Sequence, residues 1–474
     1  MQKKITPGLL KISCVLMLLA ILFVLPASAD DVKVPDKINT EEKISPTLAS
    51  KIAEASATDK IKILILMKNQ HTDFNTNSGK SKIASEQKEI LNILDGAASN
   101  GKALNINSIN VANAIAAEVT PDIITSLATR SDVSKIELDD IIYLDDNSVP
   151  DNRTILPPKL ENNSSTIVWS IDKINATAVW KRGITGKGII VAVLDSGVDP
   201  THPDLAHLPN SNEPKIIKWI DFVNGKISPY DDRGHGTHVC GTISGIGTNG
   251  YQTGVAPGTK LIIAKTFSYG FGNVSRVLLA FDWAVDNHAH IISFSNGKVH
   301  SDAFTIAINN VVAAGVIPVI AAGNKGPDFN TTICPGDEIN SLTVEATNSS
   351  DVIANFSSCG PVTLYGKKYI KPDISAPGVY IISTMPGGGY AFKDGTSMAT
   401  PHVSGVIALM LEKNPSLRPA QIKQILESKA VDLGQPGKDN VYGAGRIDAY
   451  KAVFSGSANI LPKANFTLHS DPSL

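Results

Sequence analysis

Three short segments carry side chains suited to acyl transfer. The first, Val191-Ala192-Val193-Leu194-Asp195-Ser196-Gly197, is an apolar run ending on Asp195. A carboxylate at the end of a buried strand has to be paired or hydrogen-bonded, because burying a bare charge is costly. The second, Gly234-His235-Gly236-Thr237-His238-Val239-Cys240-Gly241, sets His235 in a glycine-rich turn. The third, Gly395-Thr396-Ser397-Met398-Ala399-Thr400-Pro401-His402, opens an apolar helix that includes Val403, Val406, Ile407, Leu409 and Met410. Unpaired N–H groups and the positive end of the dipole lie at such a helix start, and both stabilise negative charge developing on an oxygen. Singly, each segment has a plainer role: a turn-forming Asp, a structural His, a Ser that caps a helix. Together they supply an orienting acid, a general base and a nucleophile, in that chain order. Such a set cleaves a carbonyl substrate through a covalent acyl intermediate and needs no metal or organic cofactor.

These groups must be held by the elements around them. Apolar runs at residues 189–194, 261–264 and 316–322 read as strands buried on both faces. Helical stretches separate them, notably 274–287 and 302–314. Alternating strands and helices predict a parallel sheet covered on both sides, with the site at the carboxyl ends of its strands. Ahead of this block, residues 30–59 are polar and without evident pattern. Residues 60–146 then read as strand, helix, strand, helix, strand: Ile61, Ile63, Ile65 and Met67 alternate, and Thr120-Pro121-Asp122 opens a helix. A stretch rich in Pro and Asn at 147–165 reads as an exposed linker.

The chain has 474 residues, with 43 Lys and Arg against 45 Asp and Glu, for a formal net charge of −2. That balance excludes a globally basic nucleic-acid binder. Lys3, Lys4 and Lys11 precede an apolar run over 12–25, closed by Pro26 and Ala27-Ser28-Ala29. A run of that length falls short of the ~20 residues that span a bilayer, so residues 1–29 read as a cleaved secretory signal peptide. Cys14 would leave with it. The expected location is extracellular.

DSGVD, HGTHVCGT and GTSMATPHVSG, together and in this order, resemble the three catalytic signatures of the subtilisin-like serine proteases, or subtilases. The resemblance runs from about Trp169 to Val453. It implies an α/β, three-layer fold with a mostly parallel central sheet over 166–455, and it assigns Asp195 as orienting acid, His235 as general base and Ser397 as nucleophile. Ile320-Ala321-Ala322-Gly323-Asn324 resembles the oxyanion-hole segment, with Asn324 as the donor. Losing one such donor typically costs about 2.7–4 kcal/mol of transition-state stabilisation. Gly270-Phe271-Gly272 and Ser295-Asn296-Gly297 match the strands that pair with an extended substrate; Asn296 stands where the family usually has Leu, beside the P1 pocket. Residues 30–146, with a core at about 60–146, resemble the inhibitor-type propeptide, a small α+β ferredoxin-like unit expected to assist folding and then block the cleft. The enzyme would act as a monomer on protein or peptide substrates and mature by cutting itself between about Asp146 and Thr166.

A structural calcium ion is a further expectation of the resemblance, at Asp204 with a loop matching 245–253. His235, His238 and Cys240 lack the usual zinc spacing, so no metal ligands are expected there. Cys334 and Cys359 flank a strand and are candidates for one disulfide. Residues 456–474 form a tail too short for a domain. The competing reading is a catalytically silent subtilase relative that binds peptides or a cell surface.

Overall fold

A computed structural model describes residues 43–143, 166–248, 250–297 and 300–454. The expected signal peptide, the linker and the tail lie outside these residues. No helix among the described residues is long and apolar enough to cross a membrane.

The amino-terminal unit begins with α1 (Pro46–Glu54), capped by the Ser45 hydroxyl accepting from the Leu48 N–H. This helix lies in a stretch read as polar and without evident pattern, where Ile44, Leu48 and Ile52 at four-residue spacing turn one apolar edge to the small unit's core. There follow β1 (Ile61–Met67), α2 (Asn77–Ser99), β2 (Ala103–Ile109), β3 (Ala114–Val119), α3 (Pro121–Ala128) and β4 (Val133–Leu138). The four strands form one antiparallel sheet in the order β2-β3-β1-β4, which completes a βαββαβ unit. Strand β2 is the element that periodicity misses. Only Ala103 and Ile109 at its ends are buried, so the polar middle gives no alternation. In β1 the alternation is plain. Ile61, Ile63 and Ile65 pack with Ile90 and Leu94 of α2, whereas Leu64 and Leu66 belong to a second buried cluster shared with the larger unit. A short strand, β5 (Ile141–Tyr143), ends the described part of this unit.

The larger unit is built on β6 (Ile190–Asp195), β7 (Ile216–Asp221), α4 (His235–Ser244), β8 (Lys260–Lys265), β9 (Phe271–Asn273), α5 (Val274–Asp286), β10 (Ile291–Phe294), α6 (Asp302–Ala313), β11 (Ile317–Ala321), β12 (Leu342–Thr347), β13 (Ile374–Pro377) and α7 (Thr396–Lys413). Seven strands form a wholly parallel sheet in the order β13-β12-β11-β10-β6-β8-β7. Side chains of a strand alternate between faces. Val191, Val193, Leu261 and Ile263 therefore pack against α4 and α7, while Ala192, Leu194, Ile262 and Ala264 pack against α5 and α6. That division produces the three α/β/α layers. The strand order changes direction beside β6, which places Asp195 at the carboxyl-edge crevice where such sheets hold their sites.

The expected disulfide is absent. Cys240, Cys334 and Cys359 are free and buried, and the Cys359 thiol donates to Glu345 Oε1 at 3.4 Å.

Two fully buried histidines make stability depend on pH. His238 Nε2 faces the Ile381 and Ala391 carbonyls at 3.0 and 3.1 Å, and His402 Nδ1 faces the Met398 carbonyl at 2.8 Å. The other nitrogen of each ring is buried without a partner. Loss of hydration disfavours the imidazolium and lowers the pKa to about 3 for His238 and about 4 for His402. The folded protein thus holds both rings neutral while the unfolded chain protonates them below its ordinary histidine pKa. Their stabilising effect is complete above that value and is lost as pH falls toward the folded values. Asp282 and Glu338, pushed up to about 7 by burial, act in the opposite direction over the same range, so the histidine effect is read as a difference. Between pH 6 and pH 4.5 the unfolding free energy of inactive protein should fall relative to that of its His402→Gln variant by about 1.4 kcal/mol per pH unit. A difference that does not change with pH would contradict the neutral assignment of His402.

Candidate active site

Asp195 closes β6 and is fully buried. One of its oxygens accepts the Ser196 N–H at 2.7 Å. Its carbonyl accepts the N–H groups of Thr266 and Phe267 from the chain leaving β8. His235 is the first residue of α4 and only 1% exposed. Its Nδ1 lies 2.8 Å from Asp195 Oδ1 and 3.0 Å from Oδ2. A ring nitrogen centred on two carboxylate oxygens is a donor, so Nδ1 carries the proton and Nε2 is left as the basic nitrogen.

The backbone around this pair is tightly constrained. Gly234 has φ +77°, a left-handed conformation that suits glycine. At Gly236 a Cβ would sit 2.1 Å from the Gly197 carbonyl and 3.1 Å from Asp195 Cβ. Only a residue without a side chain lets α4 start this close to β6.

Asp231 is a functional residue that the motifs did not reveal. Its Oδ1 accepts the Ser196 hydroxyl and the Arg233 and Gly234 N–H groups; its Oδ2 accepts the Thr237 N–H at 2.8 Å and the Thr237 hydroxyl at 2.6 Å. The Ser196 hydroxyl in turn accepts the Gly236 N–H at 3.0 Å. One carboxylate thereby ties the residue after Asp195 to the turn that carries His235. An Asp shortly before a glycine-rich helix start was the available signal, though it also describes any capped turn.

Ser397 is the second residue of α7 and 6% exposed. Its hydroxyl donates to the Ser295 carbonyl at 2.9 Å, and the Ser295 hydroxyl donates back to the Ser397 carbonyl at 3.1 Å. The α7 start is thereby fastened to the chain leaving β10. Asn324 follows β11. Its Oδ1 accepts both the N–H and the hydroxyl of Thr396, at 3.0 and 2.9 Å. A backbone N–H can only donate, so this contact fixes which end of the amide is oxygen and turns Nδ2 the other way. Thr396 is a second residue that sequence reading missed.

The two segments expected to meet substrate are brought together by the protein's own chain. Strand β5 pairs antiparallel with β9, with Tyr143 opposite Phe271, Ile142 opposite Gly272 and Ile141 opposite Asn273. Tyr143 also bridges Gly297. The rings of Tyr143 and Phe271 meet edge to face at 5.6 Å. Gly270, at φ +88°, turns the chain into β9. Asn296 is 2% exposed, and both polar atoms of its amide are buried without a partner.

The rest of the contact is polar and specific. Asp139 accepts the N–H and hydroxyl of Ser275 at 2.8 and 2.7 Å, and Glu137 accepts the Ser301 hydroxyl and the Asp302 N–H at 2.7 and 3.2 Å. Two carboxylates of the small unit thus cap the starts of α5 and α6, where N–H groups lack helical partners. Conversely, Asp282 of α5 accepts the N–H groups of Asn110 and Val111.

Asp204 does not join this site. Its Oδ2 accepts the Tyr390 hydroxyl at 2.7 Å, and the buried Lys215 lies within its electrostatic reach. In the 245–253 loop the Gln252 amide nitrogen donates to the Gly245 and Gly254 carbonyls. A hydroxyl donor already on the carboxylate, and amide nitrogen rather than oxygen turned into the loop, do not suit calcium, which takes six to eight oxygens.

Residues 186–445, more than half the chain, match the Subtilase family. The chain is 36% identical to the M-protease of Shouchella clausii (strain KSM-K16) over 325 residues, 68% of this chain and 77% of that protein. It is 34% identical to the serine protease AprX of Bacillus subtilis (strain 168) over 385 residues, 73% of this chain and 80% of that one. It is 38% identical to subtilisin Savinase of Lederbergia lenta over 292 residues, 61% of this chain and the whole of the relative. Similarity of this extent spans the sheet and the loops at its carboxyl edge, and on it the chain belongs to the subtilase family and is a serine endopeptidase.

Proposed function

We propose that this protein is a secreted endopeptidase made as a preproprotein, in which Asp195, His235 and Ser397 form the catalytic triad and the unit at 30–146 is a propeptide removed by the enzyme itself. The observation that carries the reading is the contact of His235 Nδ1 with both Asp195 oxygens, and it is supported by the pairing of β5 with β9, the strand expected to meet substrate. His235 Nε2 takes the Ser397 proton as the hydroxyl attacks a peptide carbonyl. It then returns the proton to the leaving amine, and water repeats the cycle on the acyl-enzyme. Asp195 holds the tautomer and stabilises the imidazolium. Negative charge on the tetrahedral oxygen is met by Asn324 Nδ2 and the Ser397 N–H. No metal takes part.

Pairing of β5 with β9 supports the inhibitory role of the propeptide. An extended chain bound through its backbone is what a broad-specificity cleft accepts from any substrate. In the sequence, the proposed cut between about Asp146 and Thr166 follows shortly after Tyr143. The signal peptide at 1–29 would deliver the precursor outside the cell.

The test is to purify the protein from the culture medium, sequence its amino terminus and label it with a serine-directed phosphonate. The expected result is a new terminus between about Asp146 and Thr166 and a label on Ser397. Mature protein that takes no label would refute the triad, and would be the behaviour of a catalytically silent relative.

A further inference from the structure

Away from the triad, His300, Cys334, Asp337 and Glu338 bring one ligand atom each to within 4.8 Å of one another. We propose that these four side chains form a structural site for a zinc-class divalent cation. An imidazole, a thiol and two carboxylates are a donor set suited to zinc, which takes nitrogen, sulfur and oxygen ligands in a tetrahedron.

Distances already present support this. His300 Nδ1 lies 3.3 Å from Asp337 Oδ2 and 3.4 Å from Glu338 Oε1. With metal–ligand bonds of about 2.0–2.1 Å, the edges of a tetrahedron are roughly 3.3–3.4 Å. The imidazole and the two carboxylates therefore stand at coordination spacing, and the 4.8 Å limit on the set leaves only a small contraction for the rest.

The surroundings supply the outer contacts that a metal-bound histidine uses. His300 Nε2 lies 3.3 Å from Asp302 Oδ1. A carboxylate behind the second ring nitrogen fixes the tautomer and strengthens the first nitrogen as a ligand. Glu338 Oε1 accepts the Thr305 hydroxyl at 2.8 Å. Asp302 is further held by the Tyr365 hydroxyl at 3.1 Å and by the Lys135 ammonium, which also lies 3.4 Å from Glu137.

An independent observation points to a missing partner. Asp337 is 8% exposed, and its Oδ1 is buried with no hydrogen bond. Such an atom is costly to leave unmet. A plain ion pair between a protonated His300 and its carboxylates explains the 3.3 and 3.4 Å contacts but leaves Asp337 Oδ1 unsatisfied. A cation bound by both oxygens of Asp337 satisfies it, which makes Asp337 bidentate and brings the site to five donor atoms. Cys334 is 1% exposed, forms no disulfide and has its thiol hydrogen-bonded to the Asp337 side chain, so loss of the thiol proton would leave sulfur and carboxylate facing one ion.

The site braces the cleft rather than reacting in it. A Cβ on Gly297 would lie 2.6 Å from the Cys334 carbonyl, so the cysteine backs the residue that bridges Tyr143. On its other side, Ser301 and Asp302 seat Glu137. One ion would lock together the start of α6 and the segment between β11 and β12.

The test uses full-length protein carrying Ser397→Ala, stripped with a chelator and titrated with Zn²⁺ against a chromogenic competitor, and with Co²⁺ followed by absorption. The expected result is one equivalent bound and a near-ultraviolet thiolate-to-cobalt band. That band should vanish with Cys334→Ser and persist with Cys240→Ser and with Cys359→Ser. Asp302→Asn should weaken Zn²⁺ binding about 10- to 100-fold. Asp337→Asn, which keeps the shape of the side chain, should abolish the Zn²⁺-dependent rise in Tm while leaving the metal-free Tm in place. Failure to bind one equivalent, or binding that survives both Cys334→Ser and Asp337→Asn, would overturn the proposal.

Discussion

Ser397→Ala should leave the precursor whole and reduce kcat by about 10⁶-fold, because in the proposed triad removing the nucleophile silences His235 and Asp195 with it. The folded state should suffer little. The lost contact is one hydroxyl donation to the Ser295 carbonyl, and a hydrogen bond of this kind contributes only about 0.5–1.5 kcal/mol net. Intact mass of the variant, expressed in a host without other secreted proteases, reads the outcome directly. A full-length chain that added wild-type enzyme can then cut separates lack of self-cleavage from misfolding. Normal processing of the alanine variant would rule out self-maturation.

Asp195→Asn is expected to lower kcat by about 10⁴-fold near neutral pH with KM little changed. The shape of the side chain is kept, but its charge is lost and one of its two acceptor positions becomes an NH₂ group. Where two oxygens now lie 2.8 and 3.0 Å from His235 Nδ1, an amide can turn its NH₂ toward the ring and hold the proton on the wrong nitrogen. The imidazolium of the transition state also loses its counter-charge in a site with almost no solvent. Steady-state kinetics on a chromogenic peptide, across pH, would check this. A loss under tenfold would mean that Asp195 does not orient the base.

The parallel sheet was legible because strands buried on both faces leave unbroken apolar runs. The run read at 189–194 is strand 190–195, that at 261–264 is 260–265, and that at 316–322 is 317–321. The small unit was only partly legible. Strand β2 keeps polar residues through its middle and is held by pairing with β3, which is not a local property. Helix α1 carries only Leu48 and Ile52 at helical spacing, in line with Ile44 before it, a signal too short to stand out in a polar stretch. The cysteine pairing failed for a related reason. Sequence shows that Cys334 and Cys359 flank a strand, but not where their sulfurs point, and Cys359 is turned to Glu345.

What the sequence determined by itself was the chemistry and the class of fold. The segments proposed to carry the acid, base and nucleophile, at Asp195, His235 and Ser397, are embedded in backbone that needs glycine at fixed places, and those short-range demands are written in adjacent letters. The tertiary structure alone decided how the groups are held and what else they meet. Asp231 binds the His235 turn to Ser196, Thr396 sets the direction of the Asn324 amide, and β5 lies on β9. The fold also brings His300 to Cys334, Asp337 and Glu338 across the gap between α6 and the β11–β12 connection. Each of these contacts joins residues on separate elements, and their meeting follows from sheet register and helix packing, which local spacing does not encode.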